Sequence, residues 1–103
     1  MHSSFTLHCV SWDKGASLLK EVRSTAREIG LLSPRDALAD EADEHCCHAM
    51  VLNEEGKALG CARIKPAGKI ERMTVLPHED RSGIEQALQL VAWLQESTPT
   101  HCA

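Results

Sequence analysis

Four consecutive residues, His45-Cys46-Cys47-His48, bring together two thiols and two imidazoles, the ligand types that a soft divalent metal such as zinc prefers. Four neighbours cannot all converge on one tetrahedral ion, and along a strand alternate side chains point to opposite faces. No Cys-x-x-Cys pair is present, so further ligands would have to come from His101 and Cys102. The expectation is therefore no metal, with Cys46 or Cys47 as a small core residue and His48 at the start of a strand. A nucleophilic Cys–His pair lacks an identifiable third group to orient it. Just upstream, Asp40, Glu41, Asp43 and Glu44 form an acid run. Such a run either attracts a cationic amine or is a solvated loop, and the solvated loop is the expectation. A third place for chemistry is Pro77 to Gly83, where a loop leads into a helix. A helix N-terminus exposes unpaired N–H donors at the positive end of the dipole and can receive an anion. Asp80, Ser82 and Glu85 also read as ordinary caps and acids of a helix start.

The elements that must hold these residues follow from periodicity. Phe5 to Val10 alternates and reads as a strand. Ser11 or Asp13 can cap the helix that follows. That helix carries the apolar stripe Leu18, Leu19, Val22, Ala26 and Ile29, with Lys20, Arg23 and Arg27 read as lying off it, and Gly30 closes it. Ser33-Pro34 starts a short helix over Ala37 and Leu38, ahead of the acid run. His48 to Leu52 is a strand, Asn53 to Gly56 a hairpin turn, and Lys57 to Ile64 a second strand of the hairpin. Pro66 and Gly68 turn the chain into a strand from Ile70 to Leu76, which Pro77 ends. Ile84, Ala87, Leu88, Val91 and Leu94 mark one face of a last helix reaching about Ser97. The order β-α-α-β-β-β-α gives an α+β fold: an antiparallel meander of three strands, the first strand added at its edge, and helices packed over the sheet.

Three stretches resemble the GNAT superfamily of acyl-CoA N-acyltransferases: Gly60-x-Ala62-Arg63-Ile64, then Pro66-x-Gly68-Lys69-Ile70-x-Arg72-Met73-x-Val75-Leu76-Pro77, then Gly83-Ile84-x-Gln86-Ala87-Leu88. Upstream, Val22-Arg23, Asp40-x-x-Asp43 and His48 sit where one subgroup has similar residues, so the likeness runs from about Leu18 to Val91. The resemblance implies a GNAT-like half domain and acetyl transfer from acetyl-CoA to an amine. The loop at Arg81, Ser82, Gly83 and Ile84 would receive the cofactor's pyrophosphate, and the backbone of Met73, Thr74 and Val75 would pair with its pantetheine arm. Where relatives often place a glutamate as general base this chain has Lys69, and Glu71 is the nearby substitute. Relatives continue with a further strand, helix and hairpin and use a tyrosine acid; this chain has no tyrosine. In the pyrophosphate loop only Gly83 matches. Asp80 and Glu85 put two carboxylates where phosphates should dock, each worth on the order of 1 kcal/mol of repulsion in a partly screened site. The resemblance thus implies weak or lost acetyl-CoA binding and impaired transfer. The alternative is a non-catalytic binding or assembly module that keeps the half-fold.

Composition bounds the rest. The chain has 103 residues, enough for one domain, read as 1–98 with a tail at 99–103. With Phe5, Trp12 and Trp93 as its only aromatics besides histidine, the core must be aliphatic. A net charge of −4 argues against nucleic acid as a partner, because phosphate contacts need a basic surface. Five cysteines without framework spacing, no membrane-length apolar run and no apolar leader point to a reducing cytoplasm with thiols unbridged. The strand from Lys69 to Leu76 lacks a neighbour on one side, and such an edge invites pairing, so a homodimer through that edge is expected.

Overall fold

The computed structural model describes residues 4–35, 38–65 and 69–97, the side chains of 95–97 excepted. Its elements run β1 (Thr6–Val10), α1 (Trp12–Glu28), a 3-10 turn (Glu41–His45), β2 (Cys47–Leu52), β3 (Ala58–Ile64), β4 (Ile70–Val75) and α2 (Arg81–Ser97). The four strands form one antiparallel sheet in the order β1-β2-β3-β4, so the first strand does join the meander at its edge. The fold class is α+β, with one helix on each face of the sheet. The turn at 66–68, the residues at 36–37 and the tail at 99–103 lie outside the described residues.

The sheet's two faces carry two aliphatic clusters. Ala49, Val51, Ala62, Ile64 and Val75 meet Ile84, Leu88, Val91 and Ala92 of α2. Met50, Ala58, Cys61 and Leu76 meet Leu19, Val22 and Ala26 of α1. The odd–even split along β2 is the two-residue period of a strand buried on both sides. Burying a Leu, Ile or Val side chain stabilises the fold by about 1.5–3 kcal/mol, so Leu19, Ile84 and Leu88, each fully covered, are its main anchors. Gly60 lets α2 lie close to β3: a Cβ there would come within 2.9 Å of Ile84 Cγ2. Gly56, at φ 82, supplies the left-handed residue of the β2–β3 hairpin, where the Asn53 side chain accepts from the N–H groups of Glu55 and Lys57.

Several expectations change. Ile29 and Leu94, read as stripe residues, are half exposed at the helix ends. Ser11 occupies the N-cap of α1, yet its side chain makes no cap bond; its carbonyl accepts from Lys14 and Gly15 instead. Pro34 and Arg35 form a turn, and the short helical turn falls on the acid run. The reason is a capping box: Ala42 N–H donates to Asp40 Oδ1 at 3.0 Å, and Asp40 N–H donates to Asp43 Oδ2 at 2.9 Å. β4 is not regular either. Cys61 pairs with Thr74 and Arg63 with Glu71, so Ala62 faces two residues, Arg72 and Met73. Arg72 takes φ 52, a left-handed backbone that costs a residue with a side chain roughly 1–3 kcal/mol.

Candidate functional site

Of the seven residues that the sequence reading assigned to a cofactor, Met73, Thr74, Val75 and Arg81 line one cavity, and Ser82, Gly83 and Ile84 are not among its lining residues. A hollow of about 100 Å³ is lined by Met73, Thr74 and Val75 of β4, Arg81 at the start of α2, and Leu31 and Leu32 after α1. It opens beside the β4 bulge, on the strand that ends the sheet. Sites for a drug-sized ligand usually measure about 300–1,000 Å³, so this hollow suits the tip of a chain rather than a whole nucleotide cofactor.

The surroundings work against an anion. Both carboxylate oxygens of Asp80 lie over Gly83, within 2.7 Å of where a Cβ would be. The open approach that Gly83 gives to its backbone is thus filled by an acid. Arg81 Nε donates to Glu85 Oε1 at 2.9 Å, one helical turn on, so the cation nearest the cavity is already paired. Ile84 is buried in the core rather than facing the loop. Glu71, the substitute base, accepts from Arg63 Nε at 2.7 Å and lies 3.5 Å from Lys65 Nζ. A base must reach the proton it abstracts, and this carboxylate is turned toward two cations.

The dominant polar feature of the molecule lies elsewhere, and the sequence reading missed it. Arg23 and Asp43 are buried and form a two-pronged ion pair, Nη1 to Oδ2 at 2.9 Å and Nη2 to Oδ1 at 3.1 Å. Asp43 Oδ1 also accepts from Arg63 Nη1 at 3.3 Å, and Arg23 Nη1 donates to the Leu38 carbonyl at 2.8 Å. Arg63 reaches Asp40 at 2.7 Å, and Arg72 of the bulge lies 3.7 Å from the other Asp40 oxygen. Burial alone would raise the Asp43 carboxyl. The Arg23 hydrogen bonds, the Asp40 N–H and the charges of Arg23 and His48 outweigh it and hold that pKa below the usual carboxylate value.

His48 is fully buried under Trp12, ring centroids 5.4 Å apart. Its Nε2 lies 2.8 Å from the Asp43 carbonyl oxygen. A carbonyl only accepts, so Nε2 carries the proton, and in the neutral ring Nδ1 is a bare lone pair. Among the described residues Nδ1 has no hydrogen-bond partner. Burial, helped by Arg23 and Arg63, holds the imidazole below its ordinary pKa of 6.5, against the pull of Asp43.

A signal for this cluster was present. Positions 19, 22, 23 and 26 follow i, i+3, i+4, i+7, so Arg23 belongs to the buried face of α1, and Asp40-x-x-Asp43 has the spacing of a capping box. The cysteines differ from expectation as well. Cys47 is disulfide-bonded, whereas Cys9, Cys46 and Cys61 are not, which corrects the reading of five unbridged thiols. Burial raises the Cys46 thiol and pushes that of Cys61 up to about 11.

Compared with models of protein families, with curated proteins and with solved structures, the chain matches none.

Proposed function

We propose that this chain is a GNAT-like N-acyltransferase homologue whose acyl-CoA site is impaired. The observation that carries the reading is the cavity joining Met73, Thr74 and Val75 to Arg81, since it gathers the strand and the helix start that the resemblance assigns to one cofactor. The bulge supports it, because an extra residue frees backbone groups from the ladder and bulges gather beside binding sites. A pantetheine arm is a chain of amides and would pair with such groups. If transfer occurs, the acetyl group of acetyl-CoA passes to an amine, with Glu71 the nearest carboxylate on β4. Impairment follows from Asp80 over Gly83, from Arg81 held by Glu85, and from Glu71 held by Arg63. Titration with acetyl-CoA, followed by calorimetry or amide shifts, tests the proposal. Weak binding or none is expected, and any shifts should fall on Met73 to Val75 and Arg81. A low-micromolar dissociation constant at moderate salt overturns the impairment.

A second reading, a non-catalytic assembly module, is favoured by Leu90, Trp93 and Leu94. These three lie on α2 with about half or more of their surface exposed.

A further inference from the structure

In the acid run Asp40, Glu41 and Glu44 are exposed as expected of a solvated loop, but Asp43 is buried and makes the run a latch. Its 3-10 turn spans from α1 to β4, and each link is a named contact. Asp43 is gripped by Arg23 from α1 and by Arg63 from β3. Asp40 is held by Arg63 and lies beside Arg72, the left-handed residue at the β4 bulge. The turn's inner carbonyl, that of Asp43, accepts a hydrogen bond from the N–H of His48 Nε2. His48 is thus the β2 side chain whose hydrogen bond ties the strand to the turn.

The groups around His48 fix what happens when the ring gains a proton. Arg23 approaches from α1, its guanidinium 5.6 Å from the centre of the Trp12 ring that covers His48. Lys20 lies 5.7 Å from the same ring. Asp43 Oδ1 faces Nε2 from the turn at 4.0 Å, and Arg63 adds a positive charge from β3. Val10, opposite His48 on β1, has no charge to offer. Asp43 is therefore shared by Arg23 and Arg63 before His48 is charged at all, although Arg63 is also paired with Asp40 and Glu71 at 2.7 Å each. A proton on Nδ1 would add a third cation, and a buried N–H with no acceptor among the described residues. Leaving such a donor unsatisfied costs about 1–3 kcal/mol, more when it is charged.

We propose that His48 makes this latch acid-sensitive: protonation at Nδ1 releases the 3-10 turn from the sheet, and with it the hold of Asp40 on the β4 bulge. α1 enters the linkage only through the side chains of Arg23 and Trp12, so the helical backbone and the two aliphatic clusters stay in place. The expected consequence is a local opening beside Met73 to Val75, the wall of the cavity, whatever that cavity binds.

The two tryptophans make the test direct. Trp12 packs on His48, whereas Trp93 is exposed, so a Trp93→Phe background leaves Trp12 as the only reporter. Its fluorescence is followed from about pH 8 to about pH 5, alongside far-ultraviolet circular dichroism and the His48 ring resonances. The expected result is a Trp12 transition with a midpoint below 6.5, matched by the His48 ring and by the amides of Arg72 and Met73, while the helical signal stays constant. In His48→Gln, which keeps a donor and cannot titrate, the transition disappears. Four results overturn the proposal: a flat Trp12 signal, a Trp12 change that coincides with loss of helix, a His48 ring that titrates at or above 6.5, or an unchanged transition in His48→Gln. If that variant does not fold, the ring titration of the unaltered protein decides alone.

Discussion

Arg23 and Asp43 could not be buried singly, since an isolated charge in the interior costs far more than the fold can supply. Paired, with every Asp43 oxygen occupied, they are tolerable, and removing one member is worse than removing both. Asp43→Asn should lower unfolding free energy by roughly 3–5 kcal/mol, read by urea denaturation, because it leaves Arg23 buried beside a neutral amide. For a domain with a typical stability of about 5–15 kcal/mol this is a large share. Arg23→Met combined with Asp43→Leu should recover most of the loss. A single variant as stable as the parent would mean that the pair is not closed in solution. The pH dependence has a definite sign. Both Asp43 and His48 have folded pKa values below their ordinary ones, so both contributions are present at neutral pH and lost on acidification. His48 acts first, below 6.5, and Asp43 below 3.8.

The cysteines belong to the same scale. Cys61 is fully buried and its thiol is pushed up to about 11, so it carries almost no thiolate at neutral pH. Iodoacetamide on the folded protein, mapped by peptide mass, should label Cys61 far more slowly than Cys9, which is partly exposed. Cys47 should resist labelling until a reductant is added, because its sulfur is in a disulfide. Labelling of Cys47 in the untreated folded protein would contradict the bridge.

At the scale of elements, most of the frame could be read because its signals are local. Strand alternation, the Asn53–Gly56 turn and the α2 stripe at Ile84, Leu88 and Val91 each depend on neighbours within a few residues. What could not be read depends on contacts between distant segments. The bulge at Arg72 is set by how β4 meets β3 and by Asp40, which lies far upstream. The acid run has a composition typical of solvated loops, and it takes arginines on two other elements, Arg23 and Arg63, to turn Asp43 inward. The start of α2 shows the same limit: the sequence put Asp80 and Glu85 near the expected phosphates, but not that one covers Gly83 and the other binds Arg81. Asp80→Gln with Glu85→Gly should uncover both and strengthen acetyl-CoA binding, at a helix cost of about 1 kcal/mol for the new glycine. Calorimetric titration of a folded double variant with unimproved affinity would place the defect outside the helix start.

For the whole molecule the unsolved surface is the β4 side. Among the described residues β4 is the last strand of the sheet, and its outer edge meets no further strand. The bulge at Arg72 twists that edge and blunts its first half, which is how many proteins guard an edge against pairing. Leu90, Trp93 and Leu94 on α2 are not guarded, and between Gln86 and Gln95 that helix carries no charge to repel another copy of itself. A two-fold homodimer that uses the second half of β4 together with this helix face would bury three large apolar side chains per chain and stay closed, without open-ended growth. No described helix is long and apolar enough to cross a membrane. Sedimentation equilibrium at tens of micromolar should give a dimer mass, and Trp93→Glu should return it to monomer with the circular dichroism unchanged, because a carboxylate cannot be buried at a dry interface without a partner. A monomer mass for the unaltered protein across that range would remove the dimer. A dimer that survives Trp93→Glu would move the contact from the helix to the strand edge.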